Sequence, residues 1–171
     1  MIFNKKETKT LIIMRHAKSS WGDSSVSDHE RGLLDKGIKR TGKIAGFIQD
    51  NGINPDLIIS STAKRALTTA KIIAKSISYE ESKIKQSKNL YLSYVDDVYD
   101  ELFQLDNSID SVMIFGHNPC FTDLVNVFAN KPIDNLPTSG LAVIEFKTSN
   151  WENIPVSKSK LKHLVFPSNL D

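Results

Sequence analysis

The sequence predicts an α/β fold: a three-layer α/β/α sandwich around a mainly parallel central sheet. Two observations predict it. Short, nearly continuous apolar runs recur at Leu11–Met14, Leu57–Ile59 and Val112–Phe115, the pattern of strands buried on both faces. Between them lie segments with apolar residues at helical spacing, so strands and helices alternate.

In order, Thr10–Met14 reads as the first strand. Residues 15–36 follow as a long polar segment rich in Ser, Asp and Gly, longer than ordinary connections and so marked for function. Gly37–Asp50 reads as a helix with Ile38, Ala45 and Ile48 near one face, closed by Asn51-Gly52. Asp56–Ser60 is the second buried strand. Ala63–Ser78 is a strong helix, with Ala66, Leu67, Ala70, Ile73 and Ala74 at helical spacing. Ile84–Gln86 reads as a short strand, and Asp96–Leu105 as a third helix with Val98, Leu102 and Leu105 in register. Ser111–Phe115 is the third buried strand. Pro119 suits the first turn of the next helix, Cys120–Ala129. Leu141–Phe146 reads as a further strand and the alternating Lys160–Phe166 as an edge strand.

The 171 residues suit a single domain, 1–171, with residues 1–9 expected to form a flexible N-terminal extension. The net charge of +2 is too small to argue for nucleic acid or an anionic membrane. The lone cysteine, Cys120, allows no intramolecular disulfide. No apolar stretch approaches the roughly 18 to 20 residues of a membrane helix, and the lysine-rich Met1–Thr10 does not read as a signal peptide. A cytoplasmic location is the expectation.

Only four of the 22 basic residues are arginine: Arg15, Arg31, Arg40 and Arg65. Where lysine supplies the generic charge, an arginine more often serves its planar fork, which suits phosphate or carboxylate. The first strand runs into Arg15-His16, the second into Ser60-Ser61-Thr62-Ala63-Lys64-Arg65, and the third into Gly116-His117-Asn118. In a parallel sheet these ends share one edge, where open α/β sheets place ligands. A helix N-terminus beside Arg65 would add backbone N–H groups. Taken singly, a histidine at a strand end is more often a polar cap; together the four residues suit phosphoryl transfer. Arg15 and Arg65 would clamp the oxygens, one imidazole would attack phosphorus and the other would stabilise the shifting charge.

The ordered motifs resemble the histidine phosphatase superfamily, with its phosphoglycerate mutase-like fold, and within it the phosphohistidine phosphatase (SixA-like) branch. They are Arg15-His16-Ala17-Lys18-Ser19-Ser20-Trp21; Ser27-Asp28-His29-Glu30-Arg31-Gly32-Leu33; Ser60-Ser61-Thr62-Ala63-Lys64-Arg65-Ala66; Gly116-His117-Asn118-Pro119; and Leu136-Pro137-Thr138-Ser139-Gly140. The resemblance implies His16 as nucleophile, with Arg15, Arg65 and His117 completing a phosphate pocket and Ser19 as a further contact. It implies removal of phosphate from a protein phosphohistidine, with a phosphate or other oxyanion in the pocket. A small-molecule phosphomonoesterase, acting on a phosphorylated metabolite, and a non-catalytic phosphate-binding module are the alternatives.

Ala17 replaces the usual glycine of the motif, which is tolerable at negative φ. Gly22 follows Trp21 where mutase-like relatives carry asparagine, and Leu90-Tyr91-Leu92-Ser93-Tyr94 lacks their proton-donor glutamate. Asp96 and Asp97 could substitute, although carboxylates at a helix start are usually caps. His29 and Arg31 either line the pocket rim and bind substrate, or Arg31 pairs with Asp28 or Asp35 to order the loop. Cys120 lacks the arginine of a cysteine phosphatase loop, Asn126 standing there instead, and reads as a buried apolar residue. No phosphate-binding P-loop, nucleophile elbow or metal-spaced histidines occur, so neither metal nor organic cofactor is expected. His163 reads as a surface residue, and Lys158, Lys160 and Lys162 as a solvated face that could also dock an acidic protein.

Overall fold

A computed structural model describes residues 7–171. Six strands form one sheet in the order β3-β2-β4-β1-β5-β6. They are β1 (Lys9–Arg15), β2 (Leu57–Ser61), β3 (Lys85–Ser87), β4 (Ser111–Gly116), β5 (Leu141–Phe146) and β6 (Ser159–Val165). β3, β2, β4 and β1 are parallel, while β5 and β6 run antiparallel at one side. The helices are α1 (Asp35–Asp50), α2 (Lys64–Ser76), α3 (Val95–Phe103) and α4 (Cys120–Phe128).

The two-residue period of the strands splits the core into two layers. Ile12 and Met14 of β1 join Ile58 and Met113 against Ile44 and Ile48 of α1 and Ala66 and Ala70 of α2. Leu11 and Ile13 join Ile59 and Ile114 against Val98 and Leu102 of α3 and Phe121 and Leu124 of α4. This is the three-layer α/β/α sandwich. β6 is the antiparallel edge strand, and Lys158, Lys160 and Lys162 are exposed. His163 is half-buried, its ring 5.3 Å edge-on to Phe47.

Three expectations are corrected. Lys9, expected within a flexible extension of residues 1–9, is instead part of the sheet. Lys9 opens β1, fully buried, its Nζ donating to the carbonyls of Asn107 (2.6 Å) and Ile109 (2.8 Å) and to Asp110 Oδ1 (2.9 Å); residues 1–6 lie outside the described residues. Ile38 faces solvent, because the buried stripe of α1 runs through Gly37, Thr41, Ile44, Ala45 and Ile48. The short strand is displaced one residue, to Lys85–Ser87. Among the described residues no helix is long and apolar enough to cross a membrane.

Candidate active site

The carboxyl ends of β1, β2 and β4 open into a cavity of about 750 Å³. Its lining includes Arg15, His16, Ser19, Arg31, Arg65 and His117. It also includes Arg40, so all four arginines of the chain meet in one place.

Backbone bonds fix the first pair. Arg15 N–H donates to Gly140 O (3.1 Å) and His16 N–H to Gly116 O (3.0 Å). Ser139, in the left-handed region at φ 60°, turns its N–H onto the carbonyls of both Arg15 and His16. Ala17 N–H donates to Thr69 Oγ1 (2.9 Å), which itself donates to Arg65 O (2.7 Å), tying β1 to α2. Ala17 does not have a positive φ, so alanine fits where the family motif has glycine.

His16 Nδ1 lies 2.7 Å from Ala17 O. A carbonyl can only accept, so Nδ1 carries the proton and Nε2 is left with its lone pair. The ring of His117 stands 5.0 Å away, tilted by 50°. His117 Nε2 is 2.8 Å from Ser61 Oγ, and Ser61 Oγ accepts from Ala63 N–H (3.2 Å). Burial first, and then the neighbouring cations Arg65, Arg15 and Arg31, push His16 down to about 4 against the opposing Ala17 hydrogen bond. Burial, then His16 and Arg65, push His117 down to about 3. Both imidazoles are therefore neutral near pH 7.

Arg15 donates through one terminal nitrogen to Leu136 O (2.9 Å). Arg65 donates to Asp28 O (2.7 Å) and Asp28 Oδ2 (3.1 Å). Arg15 Nε, Arg65 Nε and His117 Nδ1 are buried with no protein partner. Three such nitrogens on residues lining one cavity are a donor set suited to an oxyanion.

Asp28 was missed as a site residue from the sequence. Its Oδ1 accepts from Arg31 Nε (3.1 Å) and a terminal nitrogen (3.0 Å), and its Oδ2 accepts from Arg65 and from Tyr91 Oη (2.7 Å). The Tyr91 hydroxyl, ahead of the arginines, holds the Asp28 carboxyl down to about 2. The only available signal was charge: Asp28 is an acid three residues from Arg31. Arg31 lines the cavity and also orders the loop, pairing with Asp28 and donating to Ser19 Oγ (3.0 Å). His29 does not line the cavity. It bonds Thr62 Oγ1 (2.9 Å) and backs the Tyr91 ring edge-on at 5.0 Å. Asp97 is a cap, accepting from Tyr94 N–H (2.7 Å). Cys120 is buried in the cavity wall. Among the described residues no cluster of three His, Cys, Asp or Glu could hold a metal ion.

Fold and site together define an α/β protein with an arginine-rich cavity and a neutral imidazole in its lining. The profile of the histidine phosphatase superfamily (branch 1) matches residues 11–90. An uncharacterised chloroplastic protein of Arabidopsis thaliana is 29% identical, over 95% of this chain and 79% of its own. A structure assigned to the phosphohistidine phosphatase SixA of Agrobacterium tumefaciens is 26% identical, covers 93% of this chain and 98% of that one, and superposes with a TM-score of 0.78. The protein histidine phosphatase SixA complexed with tungstate, at 20% identity, shares the fold over 95% of this chain and 99% of its own with a TM-score of 0.79.

Proposed function

We propose that this protein is a phosphohistidine phosphatase that needs no metal and passes the phosphoryl group through a covalent intermediate on His16. The observation that carries the reading is the contact of His16 Nδ1 with Ala17 O: it commits Nδ1–H to the carbonyl and leaves Nε2 of this cavity-lining residue as the neutral nucleophile. Nε2 donates its lone pair to phosphorus as the bond to the leaving nitrogen breaks. Arg15 and Arg65 hold the phosphoryl oxygens, and His117 donates from Nδ1 as their charge shifts. Ser61, already accepting one N–H, gives its own proton to His117 Nε2, which leaves the proton on Nδ1. Water then attacks the phosphorylated His16, releasing phosphate and restoring the imidazole. Ser19 and Arg31 frame the pocket, Ser19 chiefly by holding Arg31.

The leaving group follows from the missing acid. Asp28 is the one carboxylate in the lining, and it is ionised far below neutral pH. An alkoxide leaving from a phosphomonoester needs a proton donor. An imidazole leaving from phosphohistidine is already a good leaving group, so the pocket supports the nitrogen-linked substrate over a sugar phosphate. A SixA neighbour of the same fold is complexed with tungstate, an oxyanion, which supports an oxyanion as ligand here.

The test is acid-labile trapping with radiolabelled phosphohistidine. Wild-type protein should carry the label and His16→Ala should not. Label persisting in His16→Ala removes the proposed nucleophile, and faster hydrolysis of sugar phosphates than of phosphohistidine moves the protein to the phosphomonoesterase reading.

A further inference from the structure

The mouth of the cavity carries more positive charge, and more exposed apolar surface, than one phosphoryl group requires. Five cations line it: Arg15, Lys18, Arg31, Arg40 and Arg65, against the single carboxylate of Asp28. Asp28 is consumed by Arg31 and Arg65. Arg15 and Arg65 suffice for a dianionic phosphoryl group. The side chains of Lys18 and Arg40 make no hydrogen bond or ion pair with any described residue.

Apolar groups border the same opening. Four large apolar side chains among the described residues are more than three-quarters exposed, and three of them line this cavity: Trp21 (80%), Leu92 (77%) and Tyr94 (79%). Trp21 is held rather than loose, because the Arg31 guanidinium lies 3.6 Å from its ring centroid and is itself tied to Asp28 and Ser19. Leu92 sits in the left-handed region at φ 50°, a conformation unfavourable for leucine that recurs where function requires it. Lys18, Trp21 and Arg40 come from the loop and helix on one face of the sheet. Leu92 and Tyr94 come from the approach to α3 on the other. The opening thus has a cationic lip with one aromatic platform and, facing it, an apolar lip.

Resting on the phosphoryl-transfer reading above, we infer that this rim is a docking surface for a protein. The partner presents its phosphorylated side chain between carboxylates on one side and apolar residues on the other. A small metabolite would leave the apolar lip in water, whereas a protein surface buries it. An exposed, immobilised aromatic residue beside unpaired cations and apolar side chains is the composition of an interface anchor. The free cations add attraction that salt weakens.

Synthetic eleven-residue peptides test this, each with a central phosphohistidine or phosphoserine flanked by Glu and Leu, by Lys and Ser, or by Gly and Ser. Binding is read on the His16→Ala protein by fluorescence of Trp21, the other tryptophan, Trp151, being fully buried. Turnover is read on the wild type. Glu/Leu flanks should bind about tenfold or more tighter than Lys/Ser flanks. The advantage should shrink as salt rises. It should vanish in Lys18→Glu/Arg40→Glu and fall in Leu92→Ala/Tyr94→Ala, while turnover of free phosphohistidine is unchanged. Equal binding for all flanks overturns the inference, as does a rim variant that weakens free phosphohistidine as much as the peptides. A flank preference equal in both series, without faster phosphohistidine turnover, keeps the docking surface and overturns the phosphohistidine reading alone.

Discussion

Lowering the pH from 7 to 5 should barely touch the nucleophile. The unperturbed imidazole titrates at about 6.5, so at pH 5 only about 3% of it would be neutral, a loss of about 30-fold. His16 is held at about 4, first by burial and then by three arginines. At pH 5 about 90% of it remains neutral, a loss of about a tenth. The quantity to measure is kcat/KM, which reports ionisations of the free enzyme, corrected for the substrate's own titration. Imidazole ¹⁵N resonances of the free protein give the midpoint directly, and with it the tautomer. An acid limb centred near 6.5, or a free protein with the proton on His16 Nε2, refutes the reasoning. Stability should move with the same groups. Both folded values lie below the unfolded one, so the unfolded chain takes up protons first as the pH falls. Stability that is full above about 6.5 is then lost down through about 4 for His16 and about 3 for His117. Urea unfolding at pH 4.5 should show a loss of about 2 to 3 kcal/mol from His16 alone relative to pH 7.

Gly37→Ala should cost about 1–3 kcal/mol and slow catalysis, since a Cβ there would lie 2.4 Å from Lys18 O and 2.8 Å from Lys18 N; unchanged thermal unfolding would contradict this. Thr69→Val removes the acceptor of Ala17 N–H, and equilibrium unfolding should register about 1–3 kcal/mol for the buried donor left bare, with kcat falling as the residue after the nucleophile loosens. Asp28→Asn releases Arg65, Arg31 and Tyr91 from a common acceptor. A fall in kcat/KM of about tenfold and a loss of about 1–2 kcal/mol are expected, and wild-type kinetics in this variant would show that Arg65 needs no such hold.

The convergence of Arg15, His16, Arg65 and His117 was legible because it follows from strand direction alone. Three apolar runs ending in charge, placed side by side in parallel, must share an edge. Asp28 and Arg40 were hidden for different reasons. Asp28 sits in a short 3-10 turn, Asp28–Glu30, inside a long connection whose path is set by side-chain bonds rather than by periodicity. Arg40 depends on the rotation of α1, which the apolar pattern misjudged by counting Ile38 inward. The true stripe runs through Gly37 and Thr41, small residues that carry little hydrophobic signal but let the helix approach Lys18. Thr41 then reaches Ser139 Oγ at 2.9 Å, a contact across 98 residues that no local rule encodes.

The anchoring of Lys9 makes β1 a measured length. At one end three oxygens grip its ammonium, and at the other Gly140, Gly116 and Ser139 grip the backbone of Arg15 and His16. Neighbouring residues in a strand face opposite ways, so a slip of one position exchanges the two faces. Deleting a single residue between Lys9 and Arg15 would force a choice: abandon the ammonium's cage, or turn arginine and histidine to each other's side. The six residues from Thr10 to Arg15 work as a gauge, and their number matters to the chemistry as much as their identities do.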